Sequence, residues 1–346
     1  MRVLIVHYDI HVLAGNVRAV LMLSDVFKFL GHDILILYTN IRPEEAYFWR
    51  PESLKRYHTV KYIDFTPRKV VGSKPGERAV VMGDFQIIPH NKVIHQIYDY
   101  VVYTGFNYLF TDELSLMGVY DLDVDGAMYI HYPDRPACPK RIKLWCNSSY
   151  TKSMIRTFWG RDAVVVYPPI HPEFYNPSLT FKERDIDVIF FGQFYRVKGF
   201  DLTRTLASEG LRVVVVGAKV HDYVPYSEGV QVYSNVSVPF YTRMLSRSKV
   251  YVHARPGEHL GITIVEAMAS GCVPVVHKSG GQWTDVVMRG EYGYGWSSTD
   301  ELVNIVKRLV KDRSLWERSH ERALEGSERF HFRRVADKVS RLLGET

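Results

Sequence analysis

The sequence predicts an α/β protein built from two parallel-sheet domains. Three observations carry this. Short apolar runs alternate with apolar stripes at helical spacing, the alternation occurs twice along the 346 residues, and a proline-rich polar stretch separates the two series.

The first run, Val3 to Val6, reads as a buried strand, and Val20, Leu23, Phe27 and Leu30 then recur at helical spacing up to Gly31, a natural helix stop. Asp33 to Tyr38 is a second strand, completing a βαβ unit. Such units bind ligands beyond the C-terminal ends of their strands, which directs attention to residues 7 to 16. Residues 42 to 105 carry no clear period. Strands follow at Ala127 to His131, Lys143 to Cys146 and Ala163 to Tyr167, with a helix at Tyr150 to Phe158 that Asn147 or Ser148 can cap. The prolines from Pro168 to Pro177 block helix propagation and mark the boundary near residue 170. Beyond it, Asp187 to Phe191, Arg212 to Val216, Val230 to Tyr233, Val250 to His253 and Val273 to His277 read as strands of a second sheet. Two amphipathic helices close the chain, one on Leu302, Ile305, Val306, Leu309 and Val310, the other on Phe332, Val335, Ala336, Val339, Leu342 and Leu343.

Composition narrows the function classes. The apolar share of 46% and charged share of 24% are ordinary globular usage and exclude disordered and fibrous classes. The net charge of +6 is spread evenly over both halves, which argues against a nucleic-acid module and for a generally anionic partner. Cys138, Cys146 and Cys272 are too few and too irregular for a disulfide framework or zinc site, so the chain reads as cytoplasmic. No run approaches the length of a membrane-spanning helix, and the N-terminus lacks a signal peptide's apolar region, so any membrane contact is expected to be peripheral. No metal is expected: Asp121, Asp123 and Asp125 are the only suggestive carboxylates and lie in a predicted surface turn.

The chemistry concentrates in two loops. Arg255-Pro256-Gly257-Glu258-His259-Leu260-Gly261-Ile262 follows the strand ending at His253 and leads into a helix that holds Glu266 and is stopped by Gly271. Backbone amides at Leu260 to Thr263 can hold a phosphate, and the carboxylates of Glu258 and Glu266 can accept sugar hydroxyls on either side of it. On spacing alone, the favoured reading makes Glu258 a favourable charge at a helix start and Glu266 an ordinary helical residue. Gly192-Gln193-Phe194-Tyr195-Arg196-Val197-Lys198-Gly199 follows the strand ending at Phe191, where Arg196 and Lys198 also read as a solvated turn.

The Glu258-to-Glu266 segment resembles the E-x7-E motif of glycosyltransferase family 4, and Val273 through the Gly280-Gly281 turn matches the same family. Tyr129-Ile130-His131-Tyr132-Pro133, Cys146-Asn147-Ser148-Ser149 and Val164 to Pro169 match in order, with spellings most like the dolichol-pyrophosphate oligosaccharide α-1,2-mannosyltransferase branch. The resemblance implies a GT-B fold, two Rossmann-like domains facing across a cleft, with residues 1–170 on the acceptor side and 171–329 binding the nucleotide sugar. The C-terminal helix, within 330–346, is expected to pack back toward the N-terminal domain.

It further implies retaining transfer of a hexose, mannose from GDP-mannose being favoured, to a glycan or lipid-linked acceptor, without a resident cofactor. The residues it assigns to catalysis are His131, Lys198 and Glu258. Those it assigns to the donor are Gly15, Gly192, Gln193, Arg196, Lys198, Glu258, His259, Leu260, Gly261, Ile262 and Glu266. Two departures stand out. Gln193 occupies the position where the family carries an arginine, with Arg196 as a substitute, and the N-terminal glycine loop is reduced to Gly15. A same-fold epimerase or phosphorylase, or a non-catalytic sugar-nucleotide or glycan-binding protein, stays open. Tyr47-Phe48-Trp49-Arg50 with Arg68, Lys69, Lys74 and Arg78 suits either a membrane surface or an ordinary core and solvated loop.

Overall fold

The computed structural model describes residues 1–9, 15–39, 61–64, 67–71, 79–82, 85–87, 99–104, 126–133, 142–175, 177–194, 198–219 and 224–345. They form two compact units, the second covering Pro169–Arg334 and the first taking the chain up to Pro168 together with residues from Val335 onward.

In the first unit, β1 (Arg2–Asp9), α1 (Gly15–Phe29) and β2 (Asp33–Thr39) make the βαβ unit expected from the periodicity. Gly31 ends α1 at φ +85°, a left-handed turn that favours glycine, and its N–H returns to the Lys28 carbonyl. The stretch without a clear period contributes β3 (Lys61–Asp64) and the short strands β4 (Pro67–Val71), β5 (Ala79–Met82) and β6 (Phe85–Ile87). Then come β7 (Tyr100–Thr104), β8 (Gly126–Ile130), β9 (Lys143–Cys146), α2 (Ser149–Trp159) and β10 (Val164–Val165). The seven-stranded sheet has the order β10-β9-β8-β7-β1-β2-β3 with every pair parallel, while β4, β5 and β6 form a separate antiparallel sheet.

The strand expected over Ala163 to Tyr167 is therefore only two residues long. Val166 still donates to the Cys146 carbonyl, but Pro168 and Pro169 have no N–H with which to extend the ladder. Ser148 caps α2, its hydroxyl accepting from the Thr151 amide, and the Asn147 carboxamide oxygen accepts from the Thr151 hydroxyl.

The second unit contains β11 (Ile186–Gln193), α3 (Leu202–Ser208), β12 (Val213–Ala218), β13 (Val230–Ser234), α4 (Val238–Ser246), β14 (Ser248–His253), α5 (Ile262–Ala269) and β15 (Val273–His277). A π-helical turn at Gln282–Val286, β16 (Tyr294–Trp296), α6 (Thr299–Lys311) and α7 (Arg313–Ser327) complete it. All pairs are parallel, in the order β13-β12-β11-β14-β15-β16. Both faces of this sheet are covered, which is why its strands read as unbroken apolar runs. Val188, Val213, Val250 and Val273 pack on one side with Leu302, Val306, Leu309 and Trp316 of the last two helices.

The helix α8 (Phe332–Leu343) leaves the second unit, and from Val335 onward it belongs to the first, where Val335, Ala336 and Val339 are buried. Just past it, a Glu345 carboxylate oxygen lies 3.2 Å from His32 Nε2.

Candidate functional site

In the second sheet the chain steps outward from β11 to β12 and β13, then returns to place β14 on the other side of β11. That reversal is a topological switch point. The two loops leaving β11 and β14 there flank the crevice at the strands' C-terminal ends, where open α/β sheets bind ligands. One loop carries Lys198 and the other Arg255 to Gly261. They approach closely because Gly199 has φ +73° and no side chain; a Cβ there would stand 2.7 Å from Ala254 Cβ.

The approach gathers charge around one carboxylate. Lys198 Nζ and an Arg255 terminal nitrogen each lie 3.6 Å from Glu258 Oε2, and His253 Nε2 lies 3.8 Å from the same atom. The Glu258 side chain is 9% exposed. Its burial raises its pKa, but Lys198, His253, Arg255 and His259 together outweigh burial and hold the group at about 2. Burial depresses Lys198 against the attraction of Glu258, and pushes His253 down to about 4 against the same attraction. His253 is therefore neutral at pH 7, and Lys198 and Arg255 are the two basic groups that face the single carboxylate, an arrangement suited to an anionic ligand.

The Glu258 loop is held from beneath by the turn after β15. Ser279 Oγ accepts from the Gly257 amide at 2.8 Å and meets His277 Nδ1 at 2.7 Å, while Gly281 donates to the Glu258 carbonyl at 2.8 Å. Side chains at Gly280 or Gly281 would land on the backbone of residues 257 to 260. Gln282 Nε2 donates to the Arg255 carbonyl at 2.7 Å, fixing the other end of the loop. At the start of α5, Gly261 takes φ 86° without a side-chain cap among the described residues, and Thr263 is held by the Tyr251 hydroxyl at 2.8 Å.

The expected site residues are not all brought together. Lys198, Glu258, His259, Leu260, Gly261 and Ile262 converge at the switch point, where the His259 amide also donates to Glu258 Oε1 at 3.2 Å. Glu266 lies one turn into α5 and is only 1% exposed. Gly192 and Gln193 lie nearby but belong to β11 itself, paired with Gly217 and Ala218, which corrects the reading of a loop beginning at Gly192. The strand runs on because Gly217 has no side chain to strike the Gly192 carbonyl and the Phe194 ring.

In the first unit, Gly15 opens α1, and His131 follows β8, buried, its ring edge-on to Tyr129 at 4.9 Å. Arg196 lies outside the described residues, as do Tyr47 to Arg50, Lys74, Arg78, Asp121, Asp123, Asp125 and Cys138. Arg68 and Lys69 fall on β4. Cys146 and Cys272 are buried free thiols. Among the described residues no group of three or more His, Cys, Asp or Glu side chains is gathered for a metal, and no helix is long and apolar enough to cross a membrane.

Sequence reasoning passed over His253, Arg255, Ser279 and Gln282. The only signal was proximity to the motif: Arg255 sits three residues before Glu258, and Ser279 beside the Gly-Gly pair.

The model of the family glycosyl transferases group 1 matches residues 173–326. That stretch of the chain is similar to the group 1 glycosyltransferase domain. The matched stretch holds the whole Lys198–Glu258 arrangement and its Ser279 support. Curated relatives include the GDP-Man:Man(3)GlcNAc(2)-PP-Dol alpha-1,2-mannosyltransferases of Xenopus laevis, 30% identical over 179 residues, and of Dictyostelium discoideum, 27% identical over 122 residues. The matched segments cover 42% and 35% of this chain but only 36% and 23% of those proteins. Among solved structures, Anabaena HepE in complex with UDP has a TM-score of 0.74 at 15% identity, covering 99% of this chain and 100% of that one. A Rickettsia africae glycosyltransferase has a TM-score of 0.69 at 13% identity, covering 99% and 97%. Likeness at such identities speaks to fold, and the fold is GT-B.

Proposed function

We propose that this protein is a retaining hexosyltransferase that moves mannose from GDP-mannose to a glycan or lipid-linked acceptor. The observation that carries the reading is the meeting of Lys198 with Glu258 at the switch point of the stretch similar to the group 1 domain, with Arg255 on the same carboxylate. The names of the curated relatives favour a GDP-mannose donor and a dolichol-linked acceptor over other members of the fold.

In this reading the donor's diphosphate lies between Lys198 and the first amides of α5. As the glycosidic bond breaks, negative charge grows on the departing diphosphate, and a fixed donor aimed at such charge is worth about 3 kcal/mol of barrier. Glu258 accepts from hydroxyls of the transferred sugar and Glu266 from the ribose. Gly192 and Gln193 line the donor's path. The acceptor hydroxyl attacks the face from which the diphosphate leaves and gives its proton to a departing diphosphate oxygen, so no protein nucleophile enters the scheme. The protein works in the cytoplasm, with peripheral contact at the membrane when the acceptor is lipid-linked.

A thermal-shift screen of nucleotide sugars tests the donor, because a ligand bound by the folded state alone raises the melting temperature. GDP-mannose should raise it more than UDP-sugars, and Lys198→Ala should abolish the shift. A flat response to every nucleotide sugar would overturn the proposal.

A further inference from the structure

The site has a second cation that nothing so far assigns. At the family's arginine position this chain has Gln193, whose backbone is locked into β11 opposite Ala218. The amide is neutral, so a cation beside Lys198 must come from another residue, and Arg196, the substitute named from the sequence, lies outside the described residues. Arg255 supplies one geometrically. It enters from the β14 loop, on the opposite side of the switch point from Lys198, and both cations stand 3.6 Å from the same oxygen of Glu258.

That distance is informative. Each contact is an ion pair longer than a hydrogen bond, and among the described residues the Arg255 guanidinium donates no hydrogen bond. Its backbone is nonetheless fixed, its carbonyl accepting from Gln282 Nε2 at 2.7 Å. The side chain is 34% exposed, so its fork of donors faces solvent as well as Glu258. A guanidinium held at its root, with its N–H groups uncommitted, is prepared for a bidentate anion. Glu258 keeps it aimed without consuming its donors.

We propose that Arg255 is the second diphosphate-binding residue of this site, taking the phosphate nearer the transferred sugar and replacing the arginine that Gln193 displaces. The inference rests on the donor-site reading above and deepens it. Both cations stand on Glu258, the sugar-side carboxylate, so Arg255 joins Lys198 at the distal phosphate, and the pair separates nucleoside diphosphates from monophosphates.

Calorimetric titration of the full chain with GDP and with GMP tests this on wild type, Arg255→Ala, Arg255→Lys and Lys198→Ala. Arg255→Ala should weaken GDP about tenfold to a hundredfold, as expected for a lost charge-assisted contact, and change GMP by less than about threefold. Arg255→Lys should recover only part of the loss, since a point charge cannot reproduce the fork. Unchanged melting temperatures in both Arg255 variants show that folding is intact, and if Arg255→Ala melts early, Arg255→Lys alone carries the comparison. Should Arg255→Ala and Arg255→Lys bind GDP like wild type while Lys198→Ala loses it, Arg255 is not a ligand and the donor-site reading survives. Equal losses for GMP and GDP would reject the distal-phosphate assignment. No saturable binding of GDP or UDP by the wild type would sink the donor-site reading itself.

Discussion

His253 gives the site a pH-sensitive group. It is buried, it faces Glu258 with Lys198 and Arg255 close by, and its pKa falls from the usual 6.5 to about 4. A depressed histidine contributes stability that is present above pH 6.5 and lost as pH drops toward 4, because the unfolded chain takes up the proton first. By pH 4 the loss from this one group is about 3 kcal/mol. Glu258, depressed from 4.5 to about 2, keeps its contribution until pH falls below 4.5 and loses it toward 2, so the two windows barely overlap. Denaturant titrations at pH 7 and pH 4 should show wild type losing about 3 kcal/mol more than His253→Gln across that interval. His32, His277 and His320 are also depressed by burial and affect both proteins alike, so the difference isolates His253. Equal losses in the two proteins would contradict a buried neutral histidine.

At the scale of elements, the position of Glu258 depends on the turn that follows β15. Gly280 sits at φ +69°, and a methyl group there would strike the Glu258 carbonyl and approach its amide. Gly280→Ala should therefore cost about 2 kcal/mol in left-handed strain and displaced backbone, and should also impair donor binding by moving the loop. Gly192→Ala makes the contrasting case: its nearest neighbours would be Phe200 and the Lys198 chain at 3.7 and 3.9 Å, ordinary contact distances. Measured by thermal melts, Gly280→Ala should lose several degrees and Gly192→Ala almost none; the reverse order would refute this account of the turn. The two glycines look alike in sequence, because the backbone that Gly280 must accommodate lies on a separate loop. Helix ends were more legible, since Gly31 and Gly271 stop their own helices and Ser148 caps its own, through contacts that span only a few residues.

Across the second unit as a whole, one buried cation ties the end of the sheet remote from the crevice. Arg184 is 1% exposed and donates to the carbonyls of Leu179, Leu245, Ser248 and Ser270, joining the segment before β11 to the ends of α4 and α5 and the start of β14. Its guanidinium also lies 5.3 Å from the Trp316 ring on α7. Arg184→Met should destabilise the protein by about 3 to 5 kcal/mol, since it strands several buried carbonyls at once. Because Arg184 touches no residue of the Glu258 group, the affinity for GDP of the protein that remains folded should not change. Denaturation and calorimetry on the same samples check both halves of this expectation.

The alternation of apolar runs was enough to determine two α/β sheets and most of their strands, because burial on both faces imposes its pattern on each strand separately. The segment around Glu258 and Glu266, and the place of Lys198 at a strand end, were readable for the same reason: a turn entering a helix is written in consecutive residues. What the tertiary structure alone decided was the company these residues keep. Strand order puts β14 beside β11, and only that choice brings Lys198 and Arg255 onto one carboxylate, makes Gln193 a strand residue, and sets Ser279 and Gly280 beneath the Glu258 loop. Such contacts join segments far apart in the chain, and their geometry follows from how whole sheets and helices bury their faces, which no local period records.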